Sequence, residues 1–364
     1  MLTESSLEAK PRAWVEVDLG ALVRNARALE QRARSRLLPM IKGDAYGLGA
    51  IPVARALESL DPVGYGVSSI AEGTELRGGG ISRPILVFTP TLEADLSRLL
   101  KAGLTPTLAS ADGIAKWSAL GGGGWHLAID TGMNRAGISW NEVASLADAL
   151  RATPPEGAFT HFHSAELDNG ALEVQEARFR TALDALPARP RILHTENSAA
   201  IVRRSPSPWD WVRPGVFLYG VGSGPNAAIQ PEPVAHLRAQ LLEIRDVAAG
   251  EGVSYDATWV APTRRRVATV SLGYADGYRR HLGNVGRAIV GPAIAPVVGV
   301  VTMDMLMVDV TDIACAVGDV VTLLGRDGDQ VITAEGAAEA AGLSPYELLT
   351  GLRQRLQCIY AGAA

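Results

Sequence analysis

LLPMIKGDAYGLG (Leu37–Gly49) is an apolar run that ends on a lysine and then breaks. Leu37, Leu38, Met40 and Ile41 have the length and apolarity of a buried strand. Gly43, Asp44, Gly47 and Gly49 forbid that strand to continue. Lys42 therefore falls on the last strand residue, with Tyr46 four residues on. A buried ammonium is costly unless it is paired or gives up its charge. Two readings fit: a lysine whose head reaches solvent beyond the strand end, or an amine kept for chemistry, above all as a Schiff base.

The same unit recurs outward from this stretch. LLPMIK, GYGVSS, PILVF, LTPTLA, WHLAID, AFTHFH, RILHT and WVRPGVFLY read as strands. Amphipathic stretches such as IPVARALESL, LEADLSRLLKAG, SWNEVASLADALRA and ALEVQEARFRTALDAL lie between them. That alternation predicts an α/β chain with an N-terminal (β/α)8 barrel of the TIM type. After Pro233 the texture changes to short β-branched runs, including RRVATVSL, RAIVG, MLMVDV and DVVTLL, with Thr333 to Leu352 helical. A mainly β C-terminal domain follows. The expected division is a strand in 1–17 that pairs with the C-terminal domain, the barrel in 18–235, and the β domain in 236–364.

Composition sets bounds on partners and compartment. The 364 residues are 47% hydrophobic and 20% charged, an ordinary globular balance. A net charge of −5 argues against nucleic acid or an anionic membrane as the main partner. Two cysteines, Cys315 and Cys358, make no disulfide framework and fit a reducing compartment. Ala288 to Val308 is apolar, but Gly291, Pro292, Pro296, Gly299 and Asp304 cut it into strand-sized pieces. A soluble, cytoplasmic protein is expected.

In such a barrel, chemistry gathers at the C-terminal strand ends. Those ends carry Lys42, Asp130, Arg135, His161, His163, Asn197, Ser198 and Arg213. No close acidic pair suits glycoside hydrolysis, and no GxSxG elbow is present. His161 and His163 share a strand face and define a competing metal-hydrolase reading, with His194 and Asp130 as further ligands. A phosphate site is better supported. Asn197-Ser198 ends one strand, Gly215-Val216 follows the next, and late barrel loops recurrently hold phosphate. A Schiff-base lysine beside a phosphate site implies pyridoxal phosphate.

Across nearly its full length the sequence resembles the alanine racemases, pyridoxal-phosphate enzymes of fold type III. The matching stretches are IKGDAYGLG, DTGMNRAG, THF, ENSAA, RPGVFLYG, GEGVSY, SLGYADGY, MDMLMVDVT and the closing Tyr360. The resemblance implies that Lys42 holds pyridoxal 5'-phosphate as an internal aldimine and that Tyr274 is the opposing base. It implies that Tyr46, Asn197, Ser198, the Gly215 and Val216 amides, and Tyr360 surround the phosphate. His161 would lie against the pyridine ring and Arg213 would face its nitrogen. Arg135 and the Met303 amide would hold the substrate carboxylate. A homodimer with composite sites is also implied, with Tyr274 and Met303 serving the partner's barrel.

Three positions depart from the family pattern. Ala128 stands where many members carry a carbamylated lysine that braces the arginine equivalent to Arg135. Val300 replaces an arginine common in the access channel, and His163 occupies a usually small position. None is one of the two bases. The expected activity is interconversion of L- and D-alanine, supplying D-alanine for peptidoglycan. The alternatives are a serine or broad-specificity racemase and, in another class, a cofactor-binding carrier or regulator without turnover.

Overall fold

The structure, a computed structural model, describes residues 11–224, 227–352 and 355–362. The start of the segment placed ahead of the barrel therefore lies outside the described residues. The chain divides into two compact units, Gly20–Glu232 and the described parts of Met1–Leu19 with Pro233–Ala363. The first described strand, β1 (Ala13–Asp18), belongs to the second of these.

The unit Gly20–Glu232 is a barrel. Its strands are β2 (Arg36–Leu37), β3 (Tyr65–Val67), β4 (Ile85–Val87), β5 (Thr105–Leu108), β6 (His126–Asp130), β7 (Gly157–Phe159), β8 (Ile192–His194) and β9 (Trp211–Val212). From β3 to β8 each pairs in parallel with the next. β9 pairs in parallel with β2. Single bridges, Met40 to Gly66 and Asn197 to Arg213, join β2 to β3 and β8 to β9, which closes the ring. Every residue of β3, β4, β7 and β8 is buried, as parallel strands covered on both faces require. Helices return the chain between strands. Ser69 and Ser110 start two of them, each hydroxyl accepting an amide hydrogen bond from the first turn.

Two strands are shorter than their apolar runs. The strand Arg36–Leu37 takes only the first residue of LLPMIK, because Pro39 has no amide to donate and interrupts the ladder. Met40 and Ile41 still bond both neighbours, Met40 N to Pro214 O at 2.8 Å and Ile41 N to Gly66 O at 2.9 Å. Lys42 is thus the first residue of the following turn rather than the last of a strand. In WVRPGVFLY, Pro214 and Gly215 end the strand after Val212, and Val216–Tyr219 forms a 3-10 turn.

The other unit is built on a nine-stranded sheet among the described residues. It contains β10 (Ala235–Val247), β11 (Arg265–Val270), β12 (Arg287–Val290), β13 (Ala293–Pro296), β14 (Leu306–Asp309), β15 (Val320–Asp327) and β16 (Gln357–Ala361). β1 lies between β10, antiparallel with Val15 opposite Leu237, and β16, parallel with Val17 opposite Tyr360. The helical region after Thr333 is two helices, Ala334–Ala340 and Pro345–Thr350. The apolar stretch from Ala288 contributes β12, β13 and β14, and no described helix is long and apolar enough to cross a membrane.

Candidate active site

Lys42 opens a left-handed turn. Gly43, Asp44, Ala45 and Tyr46 all have φ between 52° and 62°. For three non-glycine residues in succession this costs about 1–2 kcal/mol each, so the surroundings must hold it. Ala45 N donates to Ile41 O at 2.9 Å, and Ala50 N donates to Asp44 Oδ1 at 2.6 Å. Gly43 N donates to Glu72 Oε1 at 2.8 Å. The turn drops Tyr46 onto Tyr219, ring centroids 4.6 Å apart, and the Tyr219 hydroxyl donates to Met40 O at 2.8 Å. Burial lowers the pKa of Lys42, and Arg135 and Arg213 lower it further against the opposing pull of Glu72. A lowered pKa favours a neutral, nucleophilic amine.

Arg213 is the most constrained cation at this barrel end. It is buried, and its terminal nitrogens donate to His194 O at 2.5 Å, Thr160 O at 2.8 Å and Thr195 O at 3.0 Å. They also meet His194 Nδ1 at 3.0 Å and His161 Nδ1 at 3.4 Å. Nε makes none of these contacts. Burial pulls the Arg213 pKa down to about 9, with Glu196 opposing, and the group remains a cation at neutral pH. Burial and the Arg213 charge in turn hold His161 and His126 neutral, each pushed down to about 3.

The late loops form a cradle. Asn197 caps the helix Ser198–Arg203, its Oδ1 accepting from Ala200 N at 3.1 Å. The buried Ser198 hydroxyl accepts from Gly215 N at 2.9 Å, which ties the two loops together. A β-carbon on Gly215 would stand 2.6 Å from the Tyr46 hydroxyl, so only glycine admits the phenol here. Asn197, Ser198, Gly215, Val216 and Tyr46 are thus brought to one place, where the Ser198 and Tyr46 hydroxyls are groups of the kind that bind phosphate.

His161 is set by its backbone. Gln175, buried on the helix Ala171–Asp184, donates to His161 O at 3.1 Å and to the Thr131 hydroxyl at 3.2 Å, while its oxygen accepts from His163 N at 3.1 Å. His163 is exposed, and its Nδ1 meets the Ser164 hydroxyl at 2.7 Å. Among the described residues no three His, Cys, Asp or Glu side chains assemble as metal ligands. Asp130 accepts from Gly132 N at 2.7 Å and shapes the loop to the exposed Arg135. Ala128 is a buried methyl on β6, beside Phe159 of β7.

In the other unit, Tyr274 begins the turn Tyr274–Asp276 and is 42% exposed. Tyr274 N donates to Thr302 O at 2.9 Å and Ala275 N to Met303 O at 3.0 Å, fastening Tyr274 and Met303 as neighbours. A β-carbon on Gly273 would strike the Met303 carbonyl, so this approach needs glycine. The fully buried Asp276 carboxylate accepts from Gly273 N at 2.9 Å and pairs with Arg12 at 2.6 Å and Arg355 at 3.1 Å. Tyr360 lies on β16 and is partly exposed.

Sequence reasoning missed Glu72, Gln175, Asp276 and His126, and weighed His194 only as a metal ligand. Ser69-x-x-Glu72 signals a helix start, but nothing in it announces a second contact to Gly43. Gln175 and Asp276 carry no spacing signal at all.

A closed parallel barrel that gathers a perturbed amine, a buried arginine network and a cradle of donors at its strand ends has the build of a barrel enzyme. The family described as alanine racemase, N-terminal domain, matches residues 17–223, and its C-terminal domain matches 234–360. The alanine racemase of Symbiobacterium thermophilum is 35% identical, over 98% of this chain and 99% of that one. Among solved structures, the alanine racemase of D-cycloserine-producing Streptomyces lavendulae is 30% identical with a TM-score of 0.90, covering 98% of this chain and 99% of that one. That of Bartonella henselae, with covalently bound pyridoxal phosphate, is 28% identical with a TM-score of 0.88, covering 96% of this chain and 100% of that one. The chain belongs to the alanine racemase family, and it is an isomerase.

Proposed function

We propose that the protein interconverts L- and D-alanine using pyridoxal phosphate attached to Lys42, and that it supplies D-alanine for peptidoglycan in the cytoplasm. The observation that carries the reading is Lys42, a lysine of lowered pKa on a strained turn at the barrel end that also presents Arg213 and the Asn197–Gly215 cradle. The residues present fit the cofactor: glycine at 215 lets the Tyr46 phenol reach the Ser198–Gly215 loops, which offer hydroxyl and amide donors, and Arg213 is held by carbonyls as a buried cation. Once bound, the cofactor supplies an electron sink for negative charge at the substrate Cα.

Asn197, Ser198, the Gly215 and Val216 amides, Tyr46 and Tyr360 would hold its phosphate. His161, neutral, would lie against the ring. Arg213, a cation that gives up its proton reluctantly, would face the ring nitrogen and disfavour its protonation. Arg135 and the Met303 amide would hold the substrate carboxylate. Lys42 moves the Cα proton on one face and Tyr274 on the other, so that neither enantiomer has to turn over. Tyr274 and Met303 come from the partner of a homodimer in this reading.

Two measurements test it. A D/L conversion assay over a panel of amino acids should show alanine as the preferred substrate. Borohydride reduction of the yellow protein should fix the cofactor on Lys42. No conversion of any amino acid, or label on another residue, refutes the assignment.

A further inference from the structure

The capping residue of the helix Ile70–Gly78 has more contacts than capping requires. Ser69 Oγ accepts from Glu72 N at 3.2 Å, and Glu72 Oε2 accepts from Ser69 N at 3.1 Å, the reciprocal pair of an ordinary capping box. Oε2 also accepts from Ser68 N at 2.6 Å, at the end of β3. Oε1 leaves the helix altogether and accepts from Gly43 N at 2.8 Å, the first amide after Lys42. One carboxylate therefore clamps the end of β3 to the left-handed turn on which the lysine stands.

We propose that Glu72 is a positioning residue for Lys42, fixing the direction in which its side chain leaves the barrel wall and setting a negative charge beside the amine. The proposal rests on the reading of Lys42 as the cofactor lysine and base. Bonds from an ionised acceptor to backbone donors are the stronger kind, and Gly43 is the residue whose rotation would swing Lys42. The charge acts in the same place. Around Lys42, burial and the charges of Arg135 and Arg213 disfavour the ammonium, and Glu72 favours it.

The test uses holoenzyme of the wild type, Glu72→Gln and Glu72→Ala, each loaded with pyridoxal phosphate. Gln keeps the shape and one of the two acceptor oxygens but not the charge, so it holds one end of the clamp and guards against a fold lost in the alanine variant. The visible circular dichroism of the bound cofactor, at equal loading, should change in Glu72→Ala as Lys42 reorients. In Glu72→Gln the acidic limb of the kcat profile should move to lower pH by about 0.5–1 unit, because the lost anion no longer favours the ammonium. KM should move less than kcat in both. Unchanged dichroism and an unmoved acidic limb overturn the positioning role while borohydride still labels Lys42. Label on another residue overturns the underlying reading instead, so the two failures are distinguishable.

Discussion

His126 Nδ1 lies 2.7 Å from His194 Nε2, and both rings are buried inside the barrel. One nitrogen must donate and the other accept, so the contact requires at least one neutral imidazole and forbids protonation of both. Burial and the charge on Arg213 push His126 down to about 3 and His194 well below its ordinary value. The unfolded chain takes up protons near pH 6.5 that the folded chain refuses. Stability should therefore rise with pH across this window and fall as the pH drops below about 6.5, by about 1.4 kcal/mol per pH unit for each histidine. Urea unfolding at pH 7, 6 and 5 measures the slope. His126→Gln should flatten it by about one proton; an unchanged slope would contradict the neutral pair.

The two proposed bases should separate by isotope. In Tyr274→Phe, Lys42 and the cradle remain, and racemisation should fall by about 10² to 10⁴ in both directions. D-alanine should still exchange its α-proton with deuterated solvent through Lys42, whereas L-alanine should exchange almost none. Proton NMR reads both. Equal exchange from the two enantiomers would mean that one base, or water, serves both faces.

Composite sites predict rescue by mixing. Lys42→Ala and Tyr274→Phe are each expected to be inactive. Exchanged into a heterodimer, they leave one site with both bases, so activity should return to a sizeable fraction of wild type. Sites built within a single chain would stay dead after exchange.

Val300 gives a test of substrate range. Its carbonyl accepts from the Ser254 hydroxyl at 2.7 Å, so the backbone is pinned while the side chain can be varied. Val300→Arg should lower turnover of amino acids larger than alanine by about tenfold and leave alanine within a few-fold. A panel assay that finds the same range in both proteins removes this position from selectivity.

The barrel was legible because buried parallel strands are continuous apolar runs, and the eight runs in the sequence correspond to the eight strands of the ring. Their lengths were less legible. Pro39 and Pro214 lie inside two of the runs and remove the amides that would have extended the ladder. The left-handed turn was only half announced. Gly43 and Gly47 declare freedom of φ, but Asp44, Ala45 and Tyr46 adopt the same region because tertiary bonds hold them there. The arginine network was silent for a different reason. Arg213 meets three carbonyls at the ends of two strands, and carbonyls carry no side-chain identity to read.

The position of β1 has a consequence for how the chain is made. Its partners are β10, which begins at Ala235, and β16, which ends at Ala361. During synthesis Ala13–Asp18 emerges first and has no partner until more than two hundred residues later, while all of Gly20–Glu232 leaves the ribosome before either neighbour exists. The barrel can close on the nascent chain, whereas β1 stays unpaired until β10 follows it. Hydrogen-exchange protection in Trp14 to Val17 should accordingly be absent while only Gly20–Glu232 has emerged and appear once Ala235–Val247 is available to pair.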